Sequence, residues 1–479
     1  MNRLLAPIKK ILPQNTFVRG VSTLVVGTMG AQALMIFAAP ALTRLYTPED
    51  FGLLAVFTSL LSISVVVASL RYELAIPLPK TDIEAANVVV LSLVIVLIMT
   101  VLSATVVFSI GDRIAEVLDA PDLAKYFWLL PAGVFFAGVY KVFNYWAVRT
   151  KNFSLIAKTT VYQALVTLSI QLVGYSLGGV ALLIGQAGGR GAGSLKLGST
   201  ALKNESFCSW NWAGVWCAAK RYKHFPLYST WSSLLNVTGN QLPPLLFALF
   251  FSSNVAGWYL LTQRVLAMPV TLVSGAVSKV FLSNASESLR DGSLGVLITK
   301  IHTKLVYMIV PALFVFSLIS PELFSFIFGE NWKVSGEIAR WLSPWLALVF
   351  ILSPFMVLFE VLECQKLGLC FQLMMMLLRL GAIVCGYIFD SFLLSVQLFS
   401  VVSVVSLLAF NIWVAWATQS NFLEMMKTYV YALLAGVLIT APIVLIFTVS
   451  SSAFSKSVGV LFSAAIFVIY AFKSMQYLR

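Results

Sequence analysis

Apolar residues in this chain come in long unbroken runs. They occupy 20–42, 51–70, 84–109, 125–148, 155–177 and 179–198. After a polar, basic interval they resume at 226–251, 255–282, 304–328, 337–362, 364–388 and 392–418, and two more follow at 428–449 and 457–472. A helix of about 20 residues crosses the roughly 30 Å of bilayer hydrocarbon, whereas a barrel strand needs only about 10. The pattern predicts an all-α polytopic membrane protein with about 14 transmembrane helices.

The first twelve runs fall into two sets of six. Only Ser252, Ser253 and Asn254 separate 226–251 from 255–282, so these two helices must be antiparallel neighbours. In the first set, Gly30, Gln32 and Leu34 are spaced as Gly239, Gln241 and Pro243 are in the second. Trp128-Leu129-Leu130-Pro131 likewise answers Trp341-Leu342-Ser343-Pro344. Shared glycines and prolines weigh most, because each meets a backbone requirement. The chain is expected to be duplicated: a six-helix unit over 1–198, a loop over 199–225, a second six-helix unit over 226–418, and an added helix pair within 419–479.

Composition narrows the class further. With 479 residues, 59% of them hydrophobic and 11% charged, and a mean hydropathy of +0.92, the chain is far from a soluble domain, whose charged fraction is about 25%. The net charge of +13 is unevenly placed. Arg3, Lys9, Lys10, Arg19, Arg71, Lys80, Arg149, Lys151, Lys203, Lys220, Arg221, Lys223, Arg290, Lys300, Lys366 and Lys427 fall in alternate loops, while the opposite loops hold mainly acids. This bias places both termini in the cytoplasm, and residues 1–19 are expected on the membrane surface. It also accounts for the basic charge without a nucleic-acid partner. The first run is of full spanning length and lacks a small-residue cleavage site, so no cleavable signal peptide is expected.

Chemistry is sparse. The five cysteines have no metal-ligand spacing, His224 and His302 are read as solvated or interfacial residues at helix borders, and no nucleophile and base come together. No metal, cofactor or enzymatic activity is expected. The informative residues are cations inside the runs, each costing roughly 2.5–3.5 kcal/mol at a helix centre. Arg264, Arg190 and Arg379 fall near mid-membrane, and Lys141 lies deeper towards the cytoplasm. Lys279 and Lys158 lie near cytoplasmic ends, and Arg71 follows the second run. Acids are nearly absent at that depth, since Glu360 and Glu363 end a helix and Asp390 lies at a turn. Arg264, Arg190, Arg379, Lys141, Lys279 and Arg71 are therefore the candidate binders of an anionic, phosphate-bearing cargo. Backbone carbonyls or Gln186, Gln263 and Gln372 are the alternative partners for the arginines. Gly185, Gly188, Gly189, Gly191 and Gly193 crowd around Arg190 with no strand before them and no Lys-Ser/Thr after, so they predict close helix packing or a hinge, not a phosphate loop. Pro131, Pro243, Pro244, Pro269, Pro311, Pro344 and Pro354 mark expected kinks.

Arg19-Gly20, Pro40, Tyr46-Thr47-Pro48-Glu49-Asp50-Phe51-Gly52 and Arg71-Tyr72-Glu73-Leu74-Ala75-Ile76-Pro77-Leu78-Pro79 resemble the polysaccharide transporters. These are the O-antigen and capsule-repeat flippases of the multidrug/oligosaccharidyl-lipid/polysaccharide exporter superfamily. Gly257-Trp258-Tyr259 with Arg264, Pro269 and Ser278 resembles that family's second lobe. The likeness covers roughly 15–418, and 196–220, with Trp210, Trp212 and Trp216, fits it poorly. The resemblance implies two six-helix lobes around a central cavity in a bacterial inner membrane. It also implies alternating-access transport of undecaprenyl-diphosphate-linked oligosaccharide among membrane lipids, with a proton or sodium gradient as candidate driving force. The rivals are a drug or cation antiporter of the same superfamily, disfavoured because the first lobe shows no acid at mid-depth, a polysaccharide polymerase, which needs a large outer loop, and a scaffold protein.

Overall fold

The computed structural model describes residues 16–117 and 124–449, and every regular element among them is helical. In order these are α1 (Thr16–Leu45), α2 (Pro48–Val67), α3 (Asp82–Val117), α4 (Leu129–Arg149), α5 (Phe153–Val173), α6 (Gly179–Ala201) and α7 (Trp212–Arg221). Then come α8 (Thr230–Phe250), α9 (Ser253–Arg290), α10 (Leu294–Phe328), α11 (Lys333–Leu352), α12 (Gln365–Ile388), α13 (Phe392–Ala417) and α14 (Phe422–Val449). All but the short α7 answer the first thirteen predicted runs in order. The fourteenth, 457–472, lies outside the described residues.

Several helices overrun the apolar runs that predict them. α3 continues through Gly111 to Val117, and α9 runs on to Arg290 because no glycine or proline follows its apolar run before Gly292. α9 ends just before a turn at Gly292, which takes the left-handed φ of 68°. Nine stretches among the described residues are long and apolar enough to cross a membrane. α4, α6 and α8 are not among them, and these are the helices that carry Lys141, Arg190, and Asn240 with Gln241. Phe37, Phe108, Val173, Phe326 and Trp416 are largely exposed, as residues facing lipid should be.

Packing divides the chain into two compact units, Met1–Leu260 and Leu261–Arg479. In the first, α5 lies against α1 and α6, α4 against α3 and α6, and α8 against α2. The glycines of α6 are explained by its seam with α5. Gly185, Gly189 and Gly193 meet Gln171, Thr167 and Gln163, and a Cβ added at Gly193 would fall 1.9 Å from Gln163 Nε2. α6 is unbroken through this stretch, so close packing, not a hinge, is their role. α2 and α8 are joined by Ser59 donating to Gln241 Oε1 at 3.1 Å.

The 46–52 motif is a helix start. Thr47 caps α2 through the Asp50 amide, Asp50 accepts from the Thr47 amide at 2.9 Å, and Pro48 pre-sets the first helical φ. Tyr46 is buried beside the cap and donates its hydroxyl to the Gln171 carbonyl of α5.

In the second unit, α10 packs on α11 and α14, and α13 on α11 and α12. Pro311, Pro321 and Pro344 sit within continuous helices. At Pro354 α11 instead gives way to a 3-10 stretch, Ser353–Val357, before the short helix Leu358–Val361.

Candidate functional site

The 71–79 motif builds a platform at the end of α2. Leu70 and Arg71 take left-handed φ angles of 47° and 64°, a conformation costing non-glycine residues about 1–3 kcal/mol. The chain then makes a single 3-10 turn, Tyr72–Ala75. Arg149, at the end of α4, clamps the strand-free stretch 76–82 by donating to the Ile76 and Pro79 carbonyls, the latter at 2.8 Å, and to Asp82 Oδ1 at 2.9 Å.

This turn carries Glu73, whose side chain is wholly buried. Ser69 donates to its Oε2. Lys141 Nζ, from α4, lies 3.5 Å from Oε1 and also donates to the Val65 carbonyl at 3.3 Å, while Arg71 Nη1 lies 3.8 Å from Oε1. Arg190 of α6 is exposed, and it stands within electrostatic range of Lys141 and Tyr140. Arg71, Lys141 and Arg190 thus share one neighbourhood, built by the end of α2, the middle of α4 and the middle of α6. Two cations flank one carboxylate and a third stands near Lys141, leaving a surplus of two positive charges in the neighbourhood. The remaining donor capacity is real, because Arg71 Nε is buried without a hydrogen-bond partner.

Reading the sequence alone misses Glu73. It lies in a turn after an apolar run, where an acid passes for solvated. The available signal was the triplet Arg71-Tyr72-Glu73 combined with a lysine inside a later run. His302 is a second difference, since it is fully buried in α10, with Nε2 3.1 Å from the Tyr429 hydroxyl, and not interfacial. His224 is exposed and stacks on Tyr228.

In the second unit, Arg379 of α12 meets a hydroxyl and two aromatic rings. Its Nε donates to Ser403 Oγ at 2.9 Å, and its guanidinium lies 5.0 and 5.2 Å from the ring centres of Trp345 and Phe399. Arg264 of α9 is partly buried, and no hydrogen bond or ion pair joins it to a described residue. The side chain of Lys279 lies outside the described residues. No group of three His, Cys, Asp or Glu able to hold a metal occurs among the described residues.

Residues 41–337, well over half of the chain, match the family described as polysaccharide biosynthesis proteins. The chain belongs to that family. No curated protein matches its sequence. Among solved structures, this polysaccharide biosynthesis protein is similar to a lipid II flippase, MurJ, in an inward closed conformation, with a TM-score of 0.72 and 12% identity over 97% of this chain and 99% of that one. It is also similar to a multidrug resistance MATE transporter of the MOP superfamily in its inward-facing conformation, with a TM-score of 0.60 and 16% identity over 85% and 96% of the two chains. The outward-facing conformation of a MATE transporter matches with a TM-score of 0.51 and 15% identity over 84% and 96%. By family the chain is a polysaccharide biosynthesis protein, and its fold is the one that these flippase and MATE structures share.

Proposed function

We propose that the protein is a flippase that carries undecaprenyl-diphosphate-linked oligosaccharide repeat units, of O-antigen or capsule type, across the bacterial inner membrane. The observation that carries this reading is the surplus of two positive charges where Arg71 and Lys141 flank Glu73 and Arg190 stands near Lys141. A diphosphate esterified at both ends, by lipid and by sugar, bears two negative charges. The guanidinium groups of Arg71 and Arg190 suit its oxygens in geometry as well as in charge. Arg264, without a hydrogen-bonded partner among the described residues, is assigned as a further cargo contact, and Lys279 stays in the candidate set on its position in the sequence, whereas Arg379, engaged by Ser403, Trp345 and Phe399, leaves it. A fold known in inward- and outward-facing forms supports alternating access, and the charge bias of the loops supports cytoplasmic termini.

A drug or cation antiporter is the second reading, favoured by Glu73 as the buried acid such a protein needs. Two cations within 3.5 and 3.8 Å already compensate that acid, which leaves little for a cationic cargo.

The test is surface polysaccharide exported per correctly inserted molecule. Lys141→Ala and Arg190→Ala should each lower it at least about tenfold at near-normal abundance, in keeping with a charge-assisted contact worth about 1.5–3 kcal/mol. Arg264→Lys should retain part of the export and Arg264→Ala little. Unchanged export by the Lys141 and Arg190 variants would remove the cluster from the transport path.

A further inference from the structure

α7 and its flanks, 202–231, supply none of the cargo-binding cations, yet they form a distinct surface. The helix has two unlike faces. Val215 and Ala218, with Tyr222 just past the helix end, are buried in the same core as Tyr72, Ala75 and Ile76. Trp212, Trp216 and Lys220, spaced four residues apart, form an exposed stripe on the other side. The two tryptophans are 65% and 66% exposed, and the Lys220 ammonium lies 5.5 Å from the Trp216 ring centre. Leu202, Leu227, Tyr228 and Trp231 extend the exposed apolar surface. Lys203, Lys220, Arg221 and Lys223 are all exposed around it, against two exposed acids, Glu205 and the Glu84 of α3 that pairs with Arg221.

The level of α7 is fixed by α3. Asn87 Oδ1 accepts from the Asn211 amide at 3.0 Å, and Arg221 lies 3.8 Å from Glu84. Asn87 is five residues into α3, about 7.5 Å along its axis from the charged start at Asp82. Interfacial helices settle about 5–10 Å into the boundary between headgroups and acyl chains. A tryptophan stripe beside basic residues at this level suits a membrane surface bearing negative charge, where each Lys or Arg strengthens attachment by about fivefold.

We propose that α7 is an interfacial helix that binds the headgroups of anionic phospholipids through Trp212, Trp216, Lys220, Arg221 and Lys223. The attachment reaches the cation cluster. The Tyr72 hydroxyl donates to the Ala219 carbonyl at 3.1 Å, and Tyr72 stands between Arg71 and Glu73. Lipid bound on the outer face of α7 therefore steadies the strained turn from its inner face. This second step rests on the flippase reading, whereas lipid binding itself does not.

Cys217 is exposed on the outer side of α7 and gives a site for a fluorescent label. The full chain, with Cys208, Cys364, Cys370 and Cys385 replaced by serine, is labelled at Cys217 and reconstituted in bilayers of phosphatidylcholine alone or mixed with phosphatidylglycerol. Headgroup-level lipid quenchers should reach the label in the mixed bilayer. Iodide in the water should quench it several-fold more in phosphatidylcholine alone, and in the mixed bilayer after combined Trp212→Ser, Trp216→Ser and Lys220→Gln substitution. Equal iodide access in both bilayers overturns the proposal, as does equal protection in both, which would indicate a purely apolar or protein contact. Transport by the combined variant should fall several-fold in mixed bilayers, and unchanged transport would overturn the link to Tyr72. Arg71→Ala should lower transport while leaving the label protected, so a failed flippase reading and a failed lipid site give different results.

Discussion

Lys141 and Arg379 both lie within membrane-length helices, and the protein treats them in opposite ways. Lys141 is drawn to a carboxylate that is itself shared with Arg71, and Arg190 adds charge that no described acid matches. Arg379 instead meets a hydroxyl and two aromatic faces, partners that accept a guanidinium without adding charge. A cation in a transmembrane helix is therefore not by itself a binding site. What marks one is a local surplus of charge beside an acid that the fold has gone to some trouble to bury, here at the cost of two left-handed residues.

That contrast can be broken most forcefully at Glu73. Glu73→Ala leaves Lys141 and Arg71 without their compensating charge, and removing one partner of a buried pair costs about 3–5 kcal/mol. The purified variant should melt well below wild type, and Glu73→Ala with Lys141→Met should recover much of that loss without recovering export. A smaller effect is expected at Arg379→Met, which keeps the bulk and gives up the cation contacts. Stability should drop by about 1–2 kcal/mol while export per inserted molecule stays near normal. Loss of export at full abundance would show that the two cations are alike after all.

The smallest effect concerns the buried start of α2. Burial, and after it the charge of Asp50, pushes the Tyr46 phenol up to about 12. The phenol is held neutral in the folded chain while an unfolded one ionises near pH 10. Its contribution to stability is therefore complete below pH 10 and is lost as pH rises through about 12. Tyr46→Phe should flatten that alkaline decline in a melting series run from pH 8 to 12, and an unchanged slope would exclude Tyr46 as its source.

Much of this was legible in the sequence because lipid enforces a simple rule: a run long enough to cross must be a helix. Hence thirteen runs answer to thirteen helices, whereas the motif at 46–52, notable in the sequence only for its family likeness, proves in the structure to be a helix start. Arg71, Lys141 and Arg190 were recognisable one at a time as costly charges. Their meeting was not, because it depends on a turn after α2 and on the middle of two later helices. Glu73 was hidden by the same rule that exposed the helices, since a polar residue outside an apolar run is assigned to water by default. The aromatic cage of Arg379 is equally nonlocal, drawing on α11 and α13. α7 escaped because ten residues with one apolar face resemble a loop when the eye is set for spans.

The seam between α5 and α6 carries a consequence for biosynthesis. α5 is apolar enough to enter a membrane unaided, whereas α6, weakened by its glycines and by Arg190, is not among the stretches that are. Only five residues, 174–178, separate the two helices, and their faces fit with no room for another methyl group at Gly193. The nascent chain is then expected to deliver them as a hairpin, with α5 bringing its poorly inserting neighbour through the translocon. Glycosylation mapping of truncated chains should find α6 left outside the membrane when presented alone and inserted when α5 precedes it. The row of glycines would in that way decide when the arginine reaches the bilayer, and not only where it comes to rest.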